Sequence, residues 1–165
     1  MSGATDGETA VVYAFEAALH ARPAEAVPAC SHVDAWGTWP VLAVPREALA
    51  VPLAIGFDAA FERLAKLERM YAEPDGSFVW TSPREGLSWQ VDGNAFERSG
   101  RVLLVDLKGT CPADRFDALL AVFGWPEQPL MIQLVRPAVF VDEETFRRHA
   151  ARRWKDGPGK TLRPG

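Results

Sequence analysis

Residues 77–108, SFVWTSPREGLSWQVDGNAFERSGRVLLVDLK, carry the strongest structural signal in the chain. They contain three turn signals at nearly regular spacing, which are Pro83-Arg84-Glu85-Gly86, Asp92-Gly93 and Ser99-Gly100. Between the turns, apolar and polar residues alternate with the period of two that is typical of strands with one buried face. Asp-Gly is also a preferred pair for a two-residue hairpin turn. The pattern predicts a four-stranded antiparallel meander over residues 77–108.

A helix is predicted directly after the meander. The last meander strand, Arg101–Lys108, contains the run Val102–Val105, which is apolar on both faces and typical of a strand covered on two sides. Pro112 then fits the first position of a helix, where its missing N–H costs no hydrogen bond. Gly124 marks the end of that helix. The predicted helix spans residues 112–123.

A further strand and a final helix follow. The apolar segment 130–136 predicts a strand, which Pro137 ends because proline cannot donate to a strand ladder. Asp142 fits the cap of a helix over residues 142–154. The two strands on either side of the helix at 112–123 are far enough apart in sequence for a parallel crossover, and an antiparallel arrangement fits equally well.

The first half of the chain has weaker signals. The capping-box spacing of Thr5 and Glu8 predicts a helix over Asp6–Ala21, and the alternative is a strand through Val11–Phe15. A second helix is predicted over Asp58–Tyr71, with its apolar residues on one side. Between these two segments, five prolines predict irregular structure or short edge strands.

Length and composition predict one domain. A chain of 165 residues, 48% of them apolar, is long enough for a single hydrophobic core. The predicted elements give an α+β class, with one two-layer domain over residues 1–154. Residues 155–165, KDGPGKTLRPG, have no apolar periodicity and predict a disordered basic tail.

Charge is unevenly distributed along the chain. Residues 142–165 contain seven basic residues against four acidic ones, a net charge of +3 that leaves −7 on the other residues, because the whole chain carries −4. Nucleic-acid-binding domains normally present a basic face. The acidic body therefore argues against nucleic acid as a partner.

Sequence signals for export or membrane insertion are missing. The longest weakly polar stretch, Ala48–Phe57, has about half the length of a membrane helix and contains Pro52. A signal peptide begins with a positively charged region, and no basic residue precedes Arg22. We expect a cytoplasmic protein without a membrane partner. In that reducing compartment, Cys30 and Cys111 are expected to be free thiols.

Cys111 is the one candidate catalytic residue. It follows an apolar strand and lies where a helix begins, and the amides and dipole of a helix N-terminus lower a thiol pKa. The alternative is a small buried hydrophobic residue. Cys30 and His32 are two residues apart, but two ligands do not make a metal site. We expect neither a metal nor a cofactor.

Lys108, Gly109 and Thr110 form a candidate anion site. They follow an apolar strand and precede the predicted helix at 112–123, and free amides in that position bind anions in open α/β sheets. The alternative is a surface turn. The glycine that a Walker motif requires upstream is missing, so the segment does not predict a nucleotide site.

Tryptophans supply the candidate binding surface. Trp36 and Trp39 are separated by a glycine and a threonine, a spacing typical of a loop, and exposed tryptophans often line ligand or partner sites. Trp80 and Trp89 lie on neighbouring strands of the predicted meander. For all four residues the alternative is a place in the hydrophobic core.

These observations predict a small acidic, non-enzymatic binding or regulatory domain that recognises a protein or a small ligand through an aromatic surface at Trp36 and Trp39. One alternative is a small enzyme that uses Cys111 or an anion held at Lys108–Thr110. Another is a structural subunit whose tryptophans are buried in an assembly. The identity of the partner and the oligomeric state do not follow from the sequence.

Overall fold

The structure is a computed structural model and describes residues 10–156. These residues form nine strands, three α-helices and one short 3-10 helix. The strands are β1 (Val12–Ala21), β2 (Val27–Asp34), β3 (Gly37–Ala43), β4 (Met70–Ala72), β5 (Ser77–Thr81), β6 (Gln90–Arg98), β7 (Arg101–Pro112), β8 (Leu130–Leu134) and β9 (Val139–Asp142). The helices are α1 (Phe57–Ala65), α2 (Ala113–Val122) and α3 (Glu143–Asp156), and the 3-10 helix is Arg46–Ala50. The predicted α+β class is confirmed.

All nine strands belong to one antiparallel sheet, in the order β2-β3-β9-β8-β1-β7-β6-β5-β4. The first strand of the chain, β1, lies at the centre and pairs antiparallel with β7 on one side and with β8 on the other. Strands β7 and β8, which flank helix α2, therefore run in the same direction without pairing, because β1 lies between them. Of the two arrangements that the sequence left open, the structure has the parallel crossover, with β1 inserted between its two strands.

The predicted helix over residues 6–21 is wrong for the part that the structure describes. Residues Val12–Ala21 form the central strand β1, and residues 6–9 lie outside the described residues. A strand covered on both faces is apolar at successive positions instead of alternating, so its period does not separate it from a helix. In β1, every residue except Glu16 is buried. The alternative strand interpretation agrees with the structure.

The four-stranded meander predicted over residues 77–108 is also wrong, because this segment contains three strands. Asp92 and Gly93 lie inside the continuous strand β6 and not in a turn. Gly93 pairs with Phe78 on β5, and a Cβ at Gly93 would lie 2.0 Å from Phe78 Cζ. The glycine is thus explained by close packing under a buried ring. The strand that pairs with the other edge of β5 is β4. It includes Met70 and Tyr71, which were predicted to be the end of the helix over 58–71.

The remaining predicted elements agree with the structure to within a few residues at their ends. The helix expected over 112–123 is α2, the strand expected over 130–136 is β8, and the helix expected over 142–154 is α3. Asp142 caps α3 by accepting a hydrogen bond from Thr145 N at 2.7 Å. Helix α3 continues to Asp156, and the remainder of the predicted disordered tail, residues 157–165, lies outside the described residues.

The main hydrophobic core lies between one face of the sheet and the helices. Phe15 of β1 packs against Phe116 of α2 and Phe146 of α3, with ring centroids 5.5 and 5.9 Å from its own. Trp80 and Trp89 also belong to this core and meet edge to face at 5.0 Å. A smaller apolar cluster around Met131 lies apart from the main one.

His20 is a buried titratable residue on the central strand. It pairs with Leu104 and Met131 on the neighbouring strands, and its ring meets Phe140 edge to face at 5.3 Å. Its Nε2 atom has no hydrogen-bond partner among the described residues. Burial lowers the pKa of His20 from 6.5 to about 4. The imidazole is therefore neutral in the folded protein near neutral pH.

We expect Gly93→Ala to destabilise the protein by about 2 kcal/mol, because the added Cβ must displace the fully buried ring of Phe78. Gly56→Ala is the matched control, since the nearest atom to its added Cβ is Gly100 O at 3.5 Å, an ordinary contact. The measurement is the free energy of unfolding in urea. Equal stability of the two variants would contradict the packing explanation for Gly93.

We also expect His20 to make the protein less stable as the pH falls from 6.5 towards 4. In this window the unfolded state, with a pKa near 6.5, binds more protons than the folded state, whose pKa is about 4. Between pH 7 and pH 5 the wild type should lose about 2 kcal/mol more than His20→Phe, measured by urea unfolding at both values. Parallel losses in the two proteins would show that His20 is not the group that titrates.

Candidate functional site

A pocket of about 560 Å³ opens where the β2–β3 hairpin, the β8–β9 turn and helix α3 meet. We call it the Trp36 pocket. Its lining residues come from four separate parts of the chain and are Glu16, His32, Asp34, Trp36, Leu134, Val135, Arg136, Pro137, His149 and Arg153. The sheet order creates this meeting point, since β3 pairs with β9 and β8 pairs with β1.

Asp34 is the structural centre of the pocket. Its Oδ1 accepts hydrogen bonds from Trp36 N at 2.9 Å and from Trp39 Nε1 at 3.0 Å, and its Oδ2 lies 2.8 Å from His149 Nε2. Burial alone would raise the pKa of Asp34, but the hydrogen bonds from His149, Trp36 and Trp39 lower it, and the net change is downward. Asp34 is thus a carboxylate that already has its partners.

His149 links helix α3 to the β2–β3 hairpin. Burial lowers the pKa of His149, while the Asp34 carboxylate acts in the opposite direction, and the net change is downward. Near neutral pH the ring is therefore neutral, and it donates its Nε2–H to Asp34. Its edges also contact Trp36 and Trp39, with ring centroids 5.5 and 5.1 Å away. These contacts make His149 a positioning residue for the two tryptophans.

His32 contributes a hydrogen-bonding group without a partner. Its Nε2 atom lies 3.7 Å from Asp34 Oδ2, which is too long for a hydrogen bond. The same atom is buried and has no hydrogen-bond partner among the described residues. A buried polar atom without a partner costs free energy, so a ligand group that pairs with it gains affinity.

Arg153 contributes a positive charge that Glu16 and Asp34 act on from a distance but that no carboxylate of residues 10–156 contacts. Its guanidinium carbon lies 5.1 Å from the centre of the Trp36 ring, within the range of a cation–π contact. No carboxylate of residues 10–156 forms an ion pair with it, whereas Arg136, at the same pocket, is paired with Glu16 at 3.1 Å. Arginine stays protonated throughout the physiological range, so Arg153 presents a permanent charge.

The rest of the lining is apolar or already paired. Leu134, Val135 and Pro137 form an apolar wall, and the Trp36 ring adds a flat aromatic surface. The ten lining residues include no serine, threonine, cysteine, tyrosine or lysine. The pocket therefore offers an apolar surface and charged hydrogen-bond donors, but no side chain suited to form a covalent intermediate by attack through a hydroxyl, thiol or amine.

The two tryptophans predicted from the sequence to bind a ligand or partner have different environments. Trp36 is half-buried and lines the pocket. Trp39 is only 8% exposed, and its Nε1–H is committed to Asp34. Trp39 therefore supports the pocket from behind instead of presenting a free aromatic surface.

Cys111, the predicted catalytic candidate, lies in strand β7 and is fully buried. Burial, and to a smaller extent the charge of Asp114, raise the pKa of Cys111 to about 12, with Arg115 acting in the opposite direction. A nucleophilic thiol needs the opposite shift. Cys30, by contrast, lies exposed on the edge strand β2.

Lys108, Gly109 and Thr110, the predicted anion site, lie inside strand β7. They pair with Glu16, Phe15 and Ala14 of β1 and with residues 90–92 of β6. Their backbone amides therefore face neighbouring strands, and this part of the chain is neither a turn nor a helix start.

Sequence reasoning missed Asp34, His149 and Arg153 as members of the site. Asp34 is separated from His149 by 115 positions, and only the sheet order brings them together. One local signal was available, because Asp34 precedes Trp36 by two residues in the hairpin turn, and Asp side chains typically accept a bond from the amide two residues on.

Comparisons of the chain with protein-family models, with curated protein sequences and with solved structures give no match. Within residues 10–156, no helix has the length and apolar character needed to cross a membrane. The same residues contain no group of three or more His, Cys, Asp or Glu side chains arranged to hold a metal ion.

We expect Asp34→Asn to lower the pKa of His149 further below its usual value, because the Asp34 carboxylate is the group that raises it. The measurement is an NMR titration of the His149 ring, with the resonance assigned by its loss in His149→Gln. Asp75→Asn, at an exposed site that bonds only to Ser77, is the control and should leave the titration unchanged. A His149 pKa that stays the same or rises in Asp34→Asn would contradict the proposed hydrogen bond.

Proposed function

We propose that the protein is a binding domain for a small organic anion with a flat apolar body, held in the Trp36 pocket. The observation that carries the proposal is the Arg153 guanidinium, which lies over the Trp36 ring without a carboxylate partner among the described residues. The sequence predicted an aromatic binding surface at Trp36 and Trp39 for a protein or a small ligand. The proposal keeps Trp36 alone and specifies one class of ligand.

The arrangement of charge supports an anionic group on the ligand. Of the four charged side chains at the pocket, Glu16 and Arg136 neutralise each other, and Asp34 is occupied by three donors. Asp34 keeps its negative charge and acts on Arg153 from a distance, but Arg153 is the charged group at the pocket whose N–H donors meet no carboxylate of residues 10–156 within ion-pair distance. Guanidinium groups bind carboxylates and phosphates through two parallel hydrogen bonds. His32, which also lines the pocket, has an Nε2 atom without a hydrogen-bond partner among the described residues.

The remaining lining supports an apolar ligand body. A volume of about 560 Å³ lies within the range of pockets that bind small molecules, which are mostly apolar with a few placed polar groups. The Trp36 ring and the wall formed by Leu134, Val135 and Pro137 match that description. A flat aromatic ring would contact both surfaces.

Binding has more support than catalysis at this pocket. His149 is held by Asp34 and by two tryptophan rings, so its Nε2 is not available to a substrate. The thiol alternative relies on Cys111, which is not among the residues that line the pocket. The subunit alternative makes a different prediction, since Trp36 would then be covered by another protein chain and not by a small molecule.

We expect the protein to bind 2-naphthoate, measured by isothermal titration calorimetry. Arg153→Gln should weaken that binding by about tenfold or more, because a hydrogen bond to a charged group contributes about 1.5–3 kcal/mol. Neutral 2-naphthamide should bind the wild type about as weakly as naphthoate binds Arg153→Gln.

Arg148→Gln is the matched control, because Arg148 is an exposed arginine of the same helix that does not line the pocket. It removes the same charge and should leave naphthoate affinity unchanged. The proposal fails if naphthoate does not bind, if the amide binds equally well, or if both arginine variants weaken binding to the same degree.

A further inference from the structure

A second pocket, also of about 560 Å³, lies at the opposite half of the sheet, beside the loop that joins β5 to β6. We call it the Arg69 pocket. Seven of its ten lining residues have polar side chains, and the lining residues are Arg69, Thr81, Ser82, Pro83, Arg84, Gly86, Ser88, Trp89, Gln90 and Thr110. None of them lines the Trp36 pocket, so binding at the Arg69 pocket is independent of the function proposed above.

The Arg69 pocket is positively charged in a protein that carries a net charge of −4. Two of its ten lining residues are arginines and none is aspartate or glutamate. Within residues 10–156, neither Arg69 nor Arg84 forms an ion pair. Arg69 Nε donates to Ser82 O at 2.8 Å, which fixes this guanidinium at the pocket wall. The site therefore has a positioned cation and a second cation on the adjacent loop.

The pocket also contains a buried hydroxyl without a partner. Thr81 Oγ1 is inaccessible to solvent and has no hydrogen-bond partner among the described residues. Thr81 is the last residue of β5, and its backbone N–H donates to the Arg69 backbone carbonyl at 3.2 Å, so the two residues are neighbours at this pocket. Ser88 and Thr110 add further hydroxyl groups to the lining. Buried hydroxyls usually find a partner, and a ligand oxygen would supply one here.

From these features we propose that the Arg69 pocket binds a small, polar phosphomonoester of the sugar phosphate class. The two arginines match the charge and the oxygen geometry of a phosphate group. The hydroxyls suit a hydroxylated body, as does the side-chain oxygen of Gln90, whose amide nitrogen already donates to Asp92 at 2.9 Å. The volume exceeds what a free phosphate ion occupies. The largely polar wall distinguishes this site from the apolar Trp36 pocket.

The test is isothermal titration calorimetry at constant ionic strength with three probes, which are glucose 6-phosphate, inorganic phosphate and glucose. We expect glucose 6-phosphate to bind, inorganic phosphate to bind about tenfold more weakly, and glucose not to bind. Arg84→Gln and Thr81→Val should each weaken glucose 6-phosphate about tenfold, because each removes one hydrogen-bonding group from the ester.

Two controls separate a built site from general charge attraction and from misfolding. Arg98→Gln removes an exposed arginine at the far end of β6 and should leave the affinity unchanged. Thr81→Val should melt at the same or a higher temperature than the wild type, since it removes a hydroxyl that has no partner. Its naphthoate affinity should also be unchanged.

Three results would overturn the inference. They are no binding of glucose 6-phosphate, equal weakening by Arg98→Gln and Arg84→Gln, and full affinity in a folded Thr81→Val. Equal affinity for inorganic phosphate and glucose 6-phosphate would overturn the assignment to a phosphomonoester and leave a phosphate site. None of these results would change the expectation for naphthoate, so the two proposals fail separately.

Discussion

The pairing of β1 with β7 on one side and β8 on the other is the constraint on which the rest of the structure depends. It joins two antiparallel halves into one sheet, and β1 is buried on both faces. Two polar side chains interrupt this strand, and they behave differently. His20 is buried and neutral, whereas Glu16 reaches the edge of the Trp36 pocket and holds Arg136 on the β8–β9 turn. The central strand therefore also fixes one wall of the candidate site.

The fold could be predicted from the sequence where local chemistry decides it. Pro112 and Gly124 mark the two ends of α2, and Asp142 caps α3, because helix ends depend on neighbouring residues. The central strand could not be predicted in this way, since a strand buried on both faces lacks the alternation that identifies strands. The turn predicted at Asp92-Gly93 was wrong for a related reason. The turn signal is local, whereas Gly93 is explained by the Phe78 ring of a neighbouring strand.

The candidate site was predictable only in part. Trp36 was identified because a tryptophan next to glycine in a proline-rich segment is typical of a loop with an aromatic surface. Its partners Asp34, His149 and Arg153 lie on a hairpin and a helix that meet only when β3 pairs with β9. The spacing of these residues in the sequence does not indicate that they are in contact. The unpaired charge of Arg153 likewise depends on where every neighbouring carboxylate lies, which only the folded structure gives.

We propose that Arg153 and Trp36 together form the binding surface for an anion with a flat apolar body. The most direct measurement is a crystal structure of the protein with 2-naphthoate. We predict a carboxylate within hydrogen-bond distance of the Arg153 guanidinium and of His32 Nε2, with the naphthalene ring against Trp36 and the wall formed by Leu134, Val135 and Pro137. Naphthoate bound elsewhere, or bound with its carboxylate turned away from Arg153, would contradict it.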